Sequence, residues 1–187
     1  MKRIGILGGT FDPPHIGHLV IAEEVRMALH LEEIWFIPTY EPPHKQEASI
    51  EVNKRLAMLE SAISDNTSFH INTIEIERSG KSYTYDTIKS LNNRYSDTEF
   101  FFIIGGDMVE YLPHWHKIDE LMRMVKFVGV KRPGYSLTTP YPIQEVEIPM
   151  IDISSSLIRE RLYKNESIRY LVPDSVYTFI KGNHLYE

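Results

Sequence analysis

The chain has 187 residues, of which 42% are hydrophobic, so it can bury a sizeable core, and we expect a single domain spanning residues 1–187. Its 26 acidic residues outnumber its 20 Lys and Arg, which disfavours nucleic acid as the main partner. The absence of cysteine excludes disulfides, thiolate catalysis and sulfur-ligated zinc.

The chain opens with an apolar run, RIGILG (3–8), which is typical of a buried strand. A helix is predicted next from a stripe of apolar residues: Ile21, Val25, Ala28 and Leu29. EIWFIP (33–38) predicts a second strand, and TYEPPHKQEAS (39–49) a polar loop. None of these runs, nor any later one, is long enough for a signal peptide or a membrane span, so we expect a cytoplasmic protein without a membrane partner.

The middle of the chain repeats this alternation. A second helix is predicted by the helical spacing of Val52, Leu56, Leu59 and Ile63. SFHINTIEIE (68–77) is typical of a strand and SYTYDTIKSLNNRY (82–95) of a capped helix. EFFFIIGGD (99–107) is the clearest buried strand, and a short helix, a loop through Pro113 and a helix from Lys117 follow it.

The last third is predicted to hold two strands and then two helices. The strands are KFVGVKRPG (126–134) and VEIPMIDIS (146–154), and the helices are SSLIRERL (155–162) and PDSVYTFIKG (173–182), with Gly182 as the stop. Strands and helices alternating in this way favour an α/β fold, a Rossmann-like doubly wound parallel sheet with helices on both faces. Ligands bind such sheets beyond the carboxyl ends of the strands, which directs attention to the loops there.

The most unusual of these loops is GGTFDPPHIGH (8–18). Gly8 and Gly9 allow the backbone to approach a ligand closely, and the helix that follows presents unpaired N–H groups and the positive end of its dipole. His15 and His18 are three residues apart and would share a face of its first turn, where they could neutralise charge on a phosphate oxygen. No third ligand is obvious in the same turn, so an anion site is favoured over a metal site.

Two further segments are candidates for ligand binding. The segment DISSSLIRERL (152–162) begins a helix with serine hydroxyls beside Arg159, which could be either a capped helix with a solvated arginine or a second anion site. Gly105 and Gly106 follow a buried strand, and Asp107 beside them is suited to accept from ribose hydroxyls. Trp115 could anchor a loop or provide a stacking platform for a flat ring.

The segments GGTFDPPHIGH (8–18) and ISSSLIRERL (153–162) together resemble two signatures of the nucleotidyltransferases that share the HIGH tetrapeptide with class I aminoacyl-tRNA synthetases. Ser156 stands where that superfamily commonly has threonine. Within it, the whole chain is similar to bacterial nicotinate-mononucleotide adenylyltransferases. The segments that carry this likeness are PPHK (42–45), SYTYDT (82–87), IIGGDMVEYLPHW (103–115), KRPGY (131–135) and RYLVPDSVYTFI (169–180).

The resemblance implies transfer of AMP from ATP to nicotinate mononucleotide, giving deamido-NAD and pyrophosphate. It makes His15, His18 and Arg159 the catalytic residues. The substrate-binding residues that it implies are Gly8, Gly9, Thr10, Phe11, Thr84, Gly105, Gly106, Asp107, Trp115, Ser154 and Ser155. Lys45 and Arg132 are added as basic candidates for phosphate binding. Mg²⁺ is expected on the ATP phosphates without a protein cage of its own.

Three alternatives stay open at this point. A sister enzyme could use the same chemistry on nicotinamide mononucleotide or phosphopantetheine, and only the segments around Thr84 and Trp115 argue against it. A non-catalytic adenine-nucleotide sensor would have no use for His15, His18 and Arg159, and a plain interaction domain would not explain two phosphate sites on the same edge. The sequence does not fix the oligomeric state, and a homo-oligomer is compatible with it.

Overall fold

Six strands form one parallel sheet in the computed structural model, which describes residues 1–42, 48–132 and 134–186. Their order across the sheet is β3-β2-β1-β4-β5-β6, and every neighbouring pair is parallel. The strands are β1 (Lys2–Gly9), β2 (Glu33–Pro38), β3 (Phe69–Ile71), β4 (Thr98–Gly105), β5 (Lys126–Lys131) and β6 (Ile143–Glu147).

Eight α-helices surround this sheet within the described residues: α1 (Ile16–Ala28), α2 (Val52–Ile63), α3 (Ile74–Arg78), α4 (Thr84–Arg94), α5 (Gly106–Tyr111), α6 (Ile118–Leu121), α7 (Ser155–Tyr163) and α8 (Asp174–Gly182). Helices α1, α2, α7 and α8 contribute to one hydrophobic cluster, and α3 to α6 contribute to another. Successive residues of β4 alternate between the clusters, as the two-residue period of a strand requires. The predicted doubly wound Rossmann-like fold is confirmed.

The chain reverses direction across the sheet between β1 and β4. From β1 it proceeds outward through β2 and β3, then returns to pair β4 with the other side of β1 and continues outward to β5 and β6. The loops after β1 and β4 therefore leave in opposite directions and open a crevice between them at the carboxyl edge. This crevice is where the glycine turn, residues Gly8 to Phe11, lies.

Two predicted strands are placed differently in the structure. The segment 68–77 divides into β3 and α3, because the Asn72 side chain accepts the Ile74 N–H at 3.1 Å and begins a helix there. The strand predicted at 146–154 is β6, which begins and ends earlier. Pairing with β5 stops after the Ile148 N–H bonds to Lys131 at 3.0 Å, since Pro149 has no N–H to continue the ladder.

Two smaller expectations were also wrong. The strand predicted at 126–134 ends at Lys131. In α1, Ala22 is buried whereas the predicted stripe member Ala28 is exposed. Helix α8 ends at Gly182, as predicted, and the chain then turns at His184, with φ of 51°, where the Leu185 N–H bonds back to the Ile180 carbonyl at 3.1 Å.

Candidate active site

A pocket of about 250 Å³ opens in the crevice between β1 and β4. Its lining includes residues from loops that are far apart in the sequence, and six of them are predicted site residues: Gly8, Gly9, Thr10, Thr84, Gly105 and Trp115. The structure thus brings the segment after β1, the start of α4 and the segment after β4 to one place. This convergence follows from the order of the strands, since the carboxyl ends of parallel strands meet at one edge.

The glycine turn is shaped by the buried ring of Phe11. A Cβ built on Gly9 would lie 3.2 Å from this ring, so a larger residue there would force the turn open. The ring is 1% exposed and packs against Phe36 at 5.8 Å and His18 at 4.9 Å between centroids. Phe11 has a φ of 50°, which is uncommon for a residue with a side chain. The Phe11 side chain therefore belongs to the core, and only its backbone can meet a ligand.

The two predicted histidines stack on one another at the start of α1. Their ring centroids are 3.7 Å apart with an interplanar angle of 25°. The backbone N–H of His15 donates to Nδ1 of the His18 ring at 3.1 Å, so the proton of a neutral His18 ring is carried by Nε2. A Cβ built on Gly17 would lie 2.9 Å from Nδ1 of His15. This contact explains why residue 17, between Ile16 and His18, is a glycine: the His15 ring occupies the space that a side chain at position 17 would need.

The His15 imidazole is buried, with 6% of the residue exposed, and burial lowers its pKa from 6.5 to about 4. It is therefore neutral near pH 7. Its Nδ1 atom is buried and has no hydrogen-bond partner within the described part of the protein. A neutral ring at this position can act as a hydrogen-bond donor or acceptor toward a ligand without bringing a net charge of its own.

Helix α7 begins against the proline turn, residues Asp12 to Pro14. The Ser155 hydroxyl donates to the Pro13 carbonyl at 2.8 Å, and Nη1 of Arg159 donates to the Asp12 carbonyl at 2.7 Å. The Ser154 hydroxyl accepts the Leu157 N–H at 3.1 Å, which is the helix cap that the sequence indicates. Both predicted catalytic segments, at the starts of α1 and α7, are thus joined through the backbone between Asp12 and Pro14.

Asp12 is a central residue of this region that the sequence reasoning missed. Its carboxylate is buried and accepts the Ser49 N–H at 2.7 Å and the Tyr186 hydroxyl at 2.6 Å. Burial, and then the bond to Asp12, raise the pKa of the Tyr186 hydroxyl well above its ordinary value, so this hydroxyl stays protonated as the donor. The partners lie 37 and 174 residues away, so no local pattern could have identified the cluster.

The far side of the pocket is formed by α3, the start of α4 and the segment before α6. The Trp115 ring is half-buried and meets Phe102 and Phe127 edge-on, at 5.9 and 5.8 Å between centroids. Thr84, the first residue of α4, lines the same space. We call the part of the pocket between Trp115 and Thr84 the ring pocket, because aromatic side chains line it.

Glu75 also lines this pocket, and the sequence reasoning missed it. Its carboxyl is buried and accepts the Thr87 hydroxyl at 2.8 Å. Burial raises the pKa of Glu75 above its ordinary value, opposed by hydrogen bonds from Thr87 and Ser82 and by the charge of Arg78. The sequence did not mark Glu75 as a buried carboxyl, because its segment was predicted to be a strand and forms helix α3 instead.

The loop after β4 carries the remaining predicted residues. A Cβ on Gly105 would lie 2.9 Å from Oδ1 of Asp107, and one on Gly106 would lie 3.2 Å from Leu137, so a larger residue at either position would displace a neighbouring side chain. Asp107 is exposed at the rim. Arg132 is exposed and pairs with Asp152 at 3.4 Å, outside the lining of the pocket. Lys45 lies outside the described residues.

Among residues 1–42, 48–132 and 134–186, no group of three or more His, Asp or Glu side chains is placed to hold a metal ion. In the same part of the chain, no helix is long and apolar enough to cross a membrane.

Comparison with known proteins places this geometry among nucleotide-transferring enzymes. The sequence profile of the cytidylyltransferase-like family matches residues 6–161. A protein of Oceanobacillus iheyensis named "Probable nicotinate-nucleotide adenylyltransferase" is 58% identical over 186 residues, which cover 100% of this chain and 97% of that protein. One of Geobacillus thermodenitrificans with the same name is 59% identical over 187 residues, covering 100% of this chain and 87% of that protein.

The fold also matches a solved structure of lower sequence identity. The nicotinic acid mononucleotide adenylyltransferase of Plasmodium falciparum, solved in complex with NaAD, superposes with a TM-score of 0.83 and 22% identity. The match covers 100% of this chain and 98% of that one. At this identity the likeness supports the fold, and the full-length sequence relatives support the family.

Proposed function

The chain belongs to the cytidylyltransferase-like family and is a nucleotidyltransferase, and we propose that it transfers AMP from ATP to nicotinate mononucleotide, releasing pyrophosphate and giving deamido-NAD. The observation that carries this proposal is the convergence of the starts of α1 and α7 on one proline turn. Two helix N-termini, two histidines and an arginine there form a site suited to a polyphosphate. Full-length relatives of the same name support the choice of reaction.

The chemistry needs no nucleophile from the protein. A phosphate oxygen of the mononucleotide attacks the α-phosphorus of ATP, a new P–O bond forms, and the bond between the α-phosphorus and the bridging oxygen breaks. The electron pair leaves with pyrophosphate. Catalysis then consists of aligning the two phosphates and stabilising the charge that moves toward the leaving group, as in other phosphoryl-type transfers.

The phosphate-binding roles follow from this chemistry. The backbone N–H groups of the glycine turn and the neutral His15 ring hold the α-phosphate. His18, through Nε2, and Arg159 stabilise negative charge that develops on the way to pyrophosphate. Ser154 and Ser155, at the start of α7, contribute N–H groups to the β- and γ-phosphates, while their hydroxyls are used by the helix cap and the Pro13 carbonyl.

The remaining residues bind the organic parts of the two substrates. We assign the ribose of ATP to the loop of Gly105, Gly106 and Asp107. The nicotinate ring is assigned to the ring pocket, with Trp115 as its stacking surface and backbone N–H groups near Thr84 for its carboxylate. Lys45 and Arg132 are candidates for the mononucleotide phosphate and the departing pyrophosphate.

Mg²⁺ fits this site as an ion bound to the phosphates of ATP. The carboxylate of Asp12, the residue that follows the glycine turn, already accepts two hydrogen bonds, and the described residues form no metal-binding cluster. We therefore propose that Mg²⁺ is held by phosphate and water oxygens, where it neutralises part of the triphosphate charge. The protein residues act around it, by positioning the phosphates.

We also propose that residues 1–187 work as one cytoplasmic domain, since Asp12 near one end of the chain is held by Tyr186 near the other. Every group assigned here comes from a single chain. The assignment is therefore compatible with a monomer and with a homo-oligomer.

The test is pyrophosphate release from Mg-ATP with three acceptors offered separately: nicotinate mononucleotide, nicotinamide mononucleotide and phosphopantetheine. A strong preference for the first is expected. Preference for another acceptor would keep the ATP site and overturn the assignment of the ring pocket. ATP binding without release from any acceptor would identify a nucleotide sensor.

A further inference from the structure

Arg55 is a buried cation that the proposed mechanism does not use. It lies on α2 in a stripe of buried residues, Arg55, Met58, Leu59 and Ala62, and is 2% exposed. A guanidinium taken out of water in this way carries a large desolvation penalty unless its donors are well used. Its Nε atom has no hydrogen-bond partner within the described residues. The bonds that Arg55 does make, together with the charge of the nearby Asp12 carboxylate, must therefore offset this penalty.

Both of these bonds reach the carboxyl edge of the sheet. Nη1 of Arg55 donates to the carbonyl oxygen of Thr10 at 2.7 Å and to that of Thr39 at 2.9 Å. Thr10 follows β1 by one residue and Thr39 follows β2 by one residue. A single nitrogen atom thus joins the glycine turn to the neighbouring loop, and it does so from the protein side of the turn.

The bond to Thr10 fixes the direction of the next N–H. In a trans peptide the carbonyl of one residue and the N–H of the following residue point in opposite directions, and the Thr10–Phe11 peptide is trans. Because the Thr10 carbonyl points toward Arg55, the Phe11 N–H points away from it. Within the described part of the chain this N–H has no hydrogen-bond partner.

The second carbonyl provides an internal check of this geometry. The Thr39 carbonyl also points to Arg55, so the Tyr40 N–H must point the other way. It does: the Tyr40 N–H donates to the Ser82 hydroxyl oxygen at 3.3 Å, on the segment that lines the pocket. The same reasoning applied to Thr10 directs the Phe11 N–H to the open side of the glycine turn.

Phe11 would not keep this orientation without support. Its φ of 50° lies in the left-handed region, which a residue with a Cβ occupies only when its surroundings hold it there. The buried ring fixes one side of the residue, and the Arg55 bond fixes the peptide that precedes it.

We propose that Arg55 is a positioning residue for nucleotidyl transfer, which aims the Phe11 N–H at a substrate phosphate by holding the Thr10 carbonyl on the opposite side of the peptide. The proposal rests on the proposed function, since it needs a phosphate at the glycine turn. It adds to that function a residue that acts through the glycine turn and does not itself contact the substrate. It also gives a reason for keeping an arginine in the hydrophobic stripe of α2.

The test compares R55M with wild type and with R161M. Arg161 is a matched control on α7: its Nη1 also donates to a backbone carbonyl, that of Ser167 at 3.0 Å, and its Nε is also buried without a partner in the described structure. Each variant is assayed for kcat and for the KM of ATP, and its unfolding transition is recorded.

For R55M we expect a loss of about 100-fold in kcat, the size of effect that a misplaced contact near the reacting atoms produces. The KM for ATP should change little, because the adenine and ribose are bound elsewhere. R161M should unfold more easily than wild type and keep its kcat. Equal kcat values for folded R55M and R161M would overturn the proposal.

Arg55→Lys keeps the experiment decisive where R55M does not fold. Lysine retains the charge, but its side chain ends one atom short of the position of Nη1, so its ammonium cannot hold both carbonyls where Arg55 holds them. We expect a lowered kcat with the KM for ATP nearly unchanged, and a wild-type kcat would overturn the proposal. If the wild type is active and the Arg55 variants keep its kcat, only this inference is refuted. If the wild type itself does not catalyse the reaction, the proposed function is refuted.

Discussion

The glycine turn, the proline turn and the starts of α1 and α7, to which we assign the substrate phosphates, form what we call the phosphate side of the crevice. This side and the ring pocket are built in different ways. On the phosphate side, side chains from distant parts of the chain hold backbone carbonyls: Arg55 holds Thr10, Arg159 holds Asp12 and Ser155 holds Pro13. In the ring pocket, Trp115 is held mainly by edge-on contacts with other aromatic rings, and it remains half-buried.

We infer from this difference that the two regions have different roles in the reaction. Charge stabilisation requires donors that do not reorganise during the reaction, and a turn fixed by hydrogen bonds provides them. Acceptance of a planar ring requires surface and shape, which aromatic packing provides with less directional constraint. Changes on the phosphate side should therefore alter kcat or folding, whereas changes in the ring pocket should alter the KM of one substrate.

The largest effect is expected for His18→Ala. Removal of a donor aimed at developing charge should lower kcat by about 10²–10³-fold and leave the KM for ATP nearly unchanged. Steady-state kinetics with ATP varied at saturating nicotinate mononucleotide measures both constants. A rise in KM with an unchanged kcat would show that His18 serves ground-state binding, and would blur the contrast between the two regions.

The buried His15 gives the next largest effect, as a dependence of stability on pH. The unfolded chain takes up a proton at this histidine near pH 6.5, whereas the folded protein does so only near its lowered pKa of about 4. The folded state is therefore destabilised progressively as pH falls from 6.5 to 4, by about 3 kcal/mol for a shift of this size.

Urea unfolding at several pH values between 6.5 and 4 measures this dependence, with His15→Asn as the reference that cannot titrate. The free energy of unfolding should fall more steeply in wild type than in the variant. Parallel curves for the two proteins would mean that the His15 ring is accessible to protons in the folded state, and that the phosphate side is less rigid than its contacts indicate.

Gly17→Ala tests the packing of the histidine pair itself. The new methyl group would lie 2.9 Å from Nδ1 of His15, so the ring must move. We expect kcat to fall between about 10- and 100-fold, since small displacements near the reacting atoms have effects of this size. Gly182→Ala is the matched control, because it is also a helical glycine and a Cβ there meets no atom within 4 Å.

The smallest effect is expected for Trp115→Ala in the ring pocket. Loss of one stacked aromatic contact is worth about 1 kcal/mol, which corresponds to a rise of about fivefold in the KM for nicotinate mononucleotide. The KM for ATP should be unchanged. A fall in kcat comparable with that of His18→Ala would show that the ring pocket, like the phosphate side, positions the reacting groups.

Much of the fold could be predicted because its signals are local. Apolar runs identified β1, β2 and β4, whose residues are covered on both faces. The two misplaced strands lie at the two edges of the sheet, where β3 and β6 each pair with one neighbour. There a single Asn72 side chain or the missing N–H of Pro149 decided where a strand ended, against the tendency of the surrounding apolar residues.

The candidate site divides in the same way. His15, His18 and Arg159 lie within short motifs whose residue types and spacing indicate an anion site. Asp12, Arg55 and Glu75 were missed because their importance comes from partners distant in the sequence or from a local structure that was predicted incorrectly. Arg55 did leave a signal, an arginine at a core position of the α2 stripe, which a search for charged residues within hydrophobic periodicity would have found.

The bond between Asp12 and Tyr186 spans 174 residues, and it has a consequence for biosynthesis. At translation rates of about 5–20 residues per second, Tyr186 is added about 9 to 35 seconds after Asp12. Ser155 and Arg159, which hold the same turn, follow Pro13 and Asp12 by 142 and 147 residues. The nascent chain therefore carries its histidine motif long before it can lock the turn in front of it, and catalytic competence should arise only after Ser155, Arg159 and Tyr186 have been added and can reach that turn.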